Sequence, residues 1–166
     1  QMGKVKNLIK EIRYLLEALI VKFGLFLFET IGVKNASNFA SFLAKFIGKK
    51  IAVNDLARRN IIQSLPNLSA GEVEDILDGM WDNLGRIVGE FAYISKSSGK
   101  DLHNYIELDE ESKNNIEHIK QNSSGTKGGI IFSAHIGNWE IGPKTFLENG
   151  INVKTVYRPL NNAHVD

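Results

Sequence analysis

The sequence predicts an α/β protein: a helical N-terminal region followed by a βαβ unit of a mostly parallel sheet with flanking helices. Three observations carry this. Apolar residues recur at helical steps of three and four through most of residues 1–100. Beyond residue 100 two short apolar runs, Gly129–Ala134 and Ile151–Tyr157, bracket a helical pattern over Asn138–Asn149. Finally, 166 residues with 43% apolar and 23% charged side chains make a globular chain, not a disordered one.

The elements follow in order. Lys4, Lys6, Lys10 and Arg13 precede an apolar run from Tyr14 to Ile31, interrupted by Glu17, Lys22 and Glu29. Those charges offset the insertion energy of the aliphatic residues to a sum near zero, which leaves spanning open. No small-residue cleavage site follows, which argues against a signal peptide. The run reads either as a buried helix of a soluble domain or as a membrane helix, and of the membrane arrangements one dipping into a single leaflet with its lysines snorkelling is favoured over a crossing. Asn35–Lys50 reads as a second helix carrying Phe39, Phe42, Leu43, Phe46 and Ile47. Asn54 is the expected cap of a third, ending near Ser64 before Pro66.

Ser69-Ala70-Gly71-Glu72 is a capping box. It opens a long amphipathic helix whose aliphatic stripe (Val73, Ile76, Leu77, Met80, Leu84, Ile87, Val88, Phe91, Ile94) is expected in the core, with its acidic face in solvent. Ser97-Ser98-Gly99 should end it. Tyr105–Leu108 is a short strand candidate, and Asp109 caps a helix reaching Gln121. Gly150 is the expected left-handed residue after the helix over Asn138–Asn149. The division is 1–50, an apolar basic membrane-associating region; 51–100, the helical part of the catalytic domain; and 101–166, the start of the α/β core.

Charge is distributed unevenly. Residues 1–60 carry eleven Lys and Arg against four Asp and Glu, a net of +7, while the remainder carries nine against fifteen, a net of −6. Basic and apolar together suit an anionic membrane surface. Nucleic acid is not an expected partner, because a basic arm would hold fewer aliphatics. With no cysteine, a disulfide scaffold, a thiolate zinc site and a Cys nucleophile are excluded.

The chemistry concentrates in Ser133-Ala134-His135-Ile136-Gly137-Asn138-Trp139-Glu140. His135 falls at the carboxyl end of a predicted buried strand, where open α/β sheets bind ligands. Glu140 lies five residues on, in the first turn of the next helix. On one helix the two would point apart, but across a corner turned at Gly137 they can meet. A carboxylate on one ring nitrogen raises the basicity of the other, making a general base for a hydroxyl. Backbone N–H groups at the helix start, or the Asn138 amide, could stabilise an oxyanion. There is no HExxH zinc motif and no GxSxG elbow, and Ser133 reads as packing.

Phe132–Glu140, followed by Val156-Tyr157-Arg158-Pro159-Leu160-Asn161-Asn162, resembles the bacterial lipid A biosynthesis acyltransferases, the lauroyl and myristoyl transferases related to the glycerolipid and lysophospholipid acyltransferases. Asn83-Leu84-Gly85-Arg86, Glu90 and the apolar N-terminus are similar as well. The resemblance implies transfer of a fatty acyl chain from an acyl carrier protein thioester to a hydroxyl of a lipid A precursor. It implies His135 as base and Glu140 as its partner, without a covalent acyl-enzyme. Arg158 would bind acidic substrate groups, and Asn138 would also face substrate. No cofactor or metal is implied. The partners are acyl carrier protein, the lipid A precursor and membrane lipids, at the cytoplasmic face of the bacterial inner membrane. The family's chains continue past position 166, so the chain reads as a truncated, N-terminal portion whose own activity is doubtful. Two other readings are acylation of a different glycolipid or lysophospholipid, and an inactive membrane-binding remnant.

Overall fold

The computed structural model describes residues 2–96, 105–122, 128–134, 136–156 and 161–165, with side chains from Val5 to Ile94 in the first block. Among the described residues there are six helices and no strand: α1 (Met2–Ile31), α2 (Val33–Gly48), α3 (Ala52–Ser64), α4 (Ala70–Lys96), α5 (Glu110–Asn122) and α6 (Ile141–Glu148). The predicted α/β class is therefore corrected to an all-helical one. Residues 105–109, 128–134 and 151–156 are irregular backbone, so neither the βαβ unit nor its parallel sheet is formed. The reason is physical. A strand exists only as a member of a ladder, with a partner about 4.7–4.9 Å away, and none of these three segments pairs with another. A helix closes its hydrogen bonds on itself, which is why the segment between two of the expected strands still coils.

Local signals set the helix ends. Gly32, at φ 84°, breaks α1 from α2 in the left-handed region that glycine alone enters freely. The capping box forms as expected: Ser69 N–H donates to Glu72 Oε2 at 2.8 Å, and Glu72 N–H reaches back to Ser69 Oγ at 3.3 Å. The Ser69 N–H bond, then the Ser69 hydroxyl donating to the same Glu72 oxygen at 2.7 Å, lower the Glu72 pKa. Asp109 accepts Ser112 N–H at 2.7 Å and opens α5. Asn54 is not a cap. Ile51 holds that position, and Asn54 is buried, accepting Trp81 Nε1–H at 2.9 Å.

The core is the antiparallel pair α2–α4. Going down α2 and up α4, Gly48 meets Trp81, Ser41 and Ala40 meet Gly85, and Ala36 and Ser37 meet Gly89. A Cβ at Gly85 would lie 2.5 Å from Ser41 Cα, and one at Gly89 would lie 2.8 Å from the Ser37 nitrogen. Small residues at four-residue spacing on both helices let the backbones nearly touch. The buried line on α4 is accordingly Val73, Leu77, Trp81, Gly85, Gly89 and Ala92. Of the predicted aliphatic stripe, Ile87 is buried too, but Ile76, Leu84, Val88 and Phe91 are exposed. On α2, Phe39, Phe42, Phe46 and Ile47 likewise face outward. The seam selects the smallest face, because close backbone approach excludes large side chains from it.

The expected solvent-facing acidic side of α4 is partly turned inward. Asp82 accepts the Ser41 hydroxyl, pairs with Arg86 at 2.7 Å and lies 3.3 Å from Lys45. The Arg86 bond, then that of Ser41, hold its carboxyl well below the usual carboxylate range. Arg86 also donates to Asn38 at 2.9 Å.

α1 attaches by fewer ties. Tyr93 Oη lies 2.8 and 3.0 Å from the Phe28 and Glu29 carbonyl oxygens, and Asn162 donates to the Tyr14 carbonyl at 2.9 Å. Leu8, Ile9, Leu16, Leu19, Ile20, Phe23 and Phe26 are each more than half exposed. The buried-helix reading of residues 14–31 is thus overturned: among the described side chains of α1, Ala18 is the buried apolar one. No helix among the described residues is long and apolar enough to cross a membrane. Total accessible surface is 12690 Å², where a compact monomer of 18.5 kDa would expose roughly 8,200 Å².

Candidate functional site

The described residues of the motif, 133–134 and 136–140, lie on a corner between irregular backbone and α6. Ile136 N–H bonds the Ala134 carbonyl at 2.9 Å, and Gly137 turns the chain at φ 54°, as its place in the motif predicts. Glu140 is the N-cap of α6, one position before its first turn, and is exposed with no side-chain capping bond. α6 begins at Ile141, later than Asn138 as predicted. Pro143 sits third in the helix, where its missing N–H costs nothing because first-turn N–H groups have no intrahelical acceptor.

The far end of α6 is closed by glycine as expected. Gly150, at φ 79°, donates to the Leu147 carbonyl at 3.0 Å, and Ile151 donates to the Phe146 carbonyl at 2.9 Å. This is the double bond pattern of a Schellman end. Lys144 Nζ donates to the Ile94 carbonyl, tying α6 to the end of α4.

Of the predicted site residues, His135 and Arg158 lie outside the described residues. Asn138 and Glu140 lie within them, together with Ser133. Ser133 is exposed, with a hydroxyl 3.5 Å from the Ala134 carbonyl, so the packing role read for it is not observed.

The structure adds α4 to the site. Asn138 Nδ2 donates to Glu90 Oε2 at 2.8 Å, and the other oxygen of Glu90 accepts the buried Ser37 hydroxyl at 2.8 Å. Asn83 Nδ2 reaches toward the Gly137 carbonyl at 3.5 Å, a long contact. Asn83 and Glu90 are seven residues apart and share one face of the helix. Asn138 Oδ1 is buried with no hydrogen-bond partner among the described residues. Beside Glu90 is a small, partly open cavity of about 70 Å³, lined by Val33, Tyr93, Ile94, Tyr105, Ile106 and Ile141. The family resemblance already included Glu90, which is also a carboxylate flanked by Val88, Phe91 and Ile94 on an otherwise apolar helix stretch. Among the described residues no group of three or more His, Asp or Glu could hold a metal ion.

Comparison with known families assigns the chain to the acyltransferases. The family model described as bacterial lipid A biosynthesis acyltransferase matches residues 3–166, and the chain belongs to that family. No curated protein and no solved structure gives a significant match.

Proposed function

We propose that the protein transfers a fatty acyl chain from an acyl carrier protein thioester to a hydroxyl of a lipid A precursor, at the cytoplasmic face of the inner membrane. The observation that carries this is the sequence motif His135-x4-Glu140 with its turn at Gly137, in a chain matched to the family over residues 3–166. His135 takes the proton from the acceptor hydroxyl, with Glu140 supporting the imidazole. The freed oxygen attacks the thioester carbonyl. The carbon–sulfur bond then breaks, and the carrier's thiolate leaves with the proton returned from His135. No cofactor enters these steps. Asn138 and Arg158 bind substrate, Arg158 by pairing with acidic groups of the substrate.

The exposed apolar length of α1 and the net +7 of residues 1–60 support membrane attachment from the cytoplasmic side. No helix among the described residues qualifies as a span, which favours α1 lying in one leaflet. Membrane lipids and acyl carrier protein are then the partners.

The test is thiol release from acyl carrier protein by the full-length protein in membranes, with a lipid A precursor as acceptor. His135→Ala should abolish it, and Glu140→Ala should lower it by roughly 10²–10⁴-fold. His135→Ala turnover near the parent's would sink the mechanism. Transfer only to another glycolipid or a lysophospholipid would move the acceptor class. Deleting residues 1–32 should shift the protein to the soluble fraction, and a deletion variant as membrane-bound as the parent would place the anchor elsewhere.

A further inference from the structure

We infer that Glu90 is a positioning residue for acyl transfer, holding the corner between His135 and Glu140 through the Asn138 amide. The inference rests on the functional reading above and adds a residue on a different element.

The corner has no sheet ladder to fix it, since residues 128–134 are irregular backbone. Two side-chain ties join it to the helical core: the 2.8 Å bond from Asn138 to Glu90 and the long Asn83 contact to Gly137. A hydrogen bond to a carboxylate is roughly twice as strong as one between neutral groups, so the Glu90 tie is the stronger of these two. Glu90 is itself held. Its second oxygen accepts the hydroxyl of Ser37, which is 6% exposed in the α2–α4 seam. Ser37 can come that close because the adjacent Gly89 has no Cβ to press on α2. A continuous path therefore runs from the tightest packing in the molecule, through Ser37 and Glu90, to the motif corner.

The chemistry of the pair also decides which way the amide faces. An ionised carboxylate only accepts, so Asn138 must turn Nδ2 to Glu90 and send Oδ1 the other way. That Oδ1 is buried, with no hydrogen-bond partner among the described residues. Glu90 thus fixes the orientation of an unpaired acceptor at the corner. A rival role, balancing the charge of Arg86, is met more directly by Asp82 at 2.7 Å.

The experiment exchanges donor and acceptor in the full-length, membrane-bound protein. Asn138→Asp sets two carboxylates against each other. It should lower kcat by roughly 100-fold, the scale of a small misplacement of reacting groups. Adding Glu90→Gln supplies an amide that donates to the carboxylate introduced at position 138, and it should restore kcat by about tenfold over the single variant. Thermal unfolding of all the proteins checks that each is folded. With an active parent, a double variant no better than Asn138→Asp alone, or a Glu90→Ala variant with the parent's kcat, would overturn the positioning role. A parent that releases no thiol from any acyl carrier protein thioester would overturn the functional reading itself, and this role with it.

Discussion

The α2–α4 pair and the segment 128–156 solve the same problem in opposite ways. In the pair, backbone polar groups are satisfied within each helix, and the helices meet through Ala36, Ser37, Ala40, Ser41, Gly85 and Gly89 at near backbone contact. In the segment only α6 is self-sufficient, and the irregular stretches on either side leave Ile130, Phe132 and Val156 at 83%, 89% and 100% exposure. The motif corner takes its order from the first region by side-chain bonds to α4. Order at the candidate site is therefore borrowed, and substitutions in the seam should matter more than apolar substitutions in the segment.

The sharpest test of that asymmetry is Gly89→Ala. Its Cβ would strike the α2 backbone, which cannot move as a side chain can. Overpacking of this kind costs about 1–3 kcal/mol or more, outweighing the helix propensity gained. Denaturant unfolding of the variant should show the loss, and an unchanged midpoint would break the comparison. Next comes Asn54→Ala, which strands the buried Trp81 N–H and should cost about 1–3 kcal/mol by the same measurement. Ser69→Ala removes one half of the capping box and should cost about 1 kcal/mol. Gly79→Ala lies on the same helix with nothing within 4 Å of its added Cβ. It should stabilise by about 0.5–1 kcal/mol, opposite in sign to Gly89→Ala. Smallest of all, Ile130→Ser in the exposed segment should stay within about 0.5 kcal/mol of the parent. A larger loss there would mean that the segment packs more firmly than its exposure implies.

What could be read in the sequence was whatever a short stretch decides alone. Ser69 with Glu72, Asp109 with Ser112, and Gly150 after α6 are contacts within six residues, and each formed as read. The turn at Gly137 belongs with them. The expected strands failed because pairing is not local: Gly129–Ala134 has the apolar character of a buried strand, yet no partner ladder. The buried face of α4 was misjudged for a related reason. Periodicity finds a bulky stripe but does not say that a helix of small residues will claim the glycine line instead. At the site, the His135 motif was legible as chemistry, while the tie from Glu90 to Asn138 crosses 48 positions, so the resemblance marked Glu90 without marking its partner.

The outward-turned aromatic and aliphatic side chains of α1 and α2 also set the calorimetry of this protein. Heat capacity and denaturant slopes scale with the surface newly exposed on unfolding. Phe23, Phe26, Phe42 and Phe46 are already 57–62% exposed in the folded chain, so opening the helices adds little hydration of those rings. The protein should therefore unfold in water with a heat-capacity increment below the usual ~12–15 cal/mol/K per residue and with a shallow urea slope for its length. Its stability curve against temperature should be flat. Modest differences in free energy would then appear as wide shifts in melting temperature.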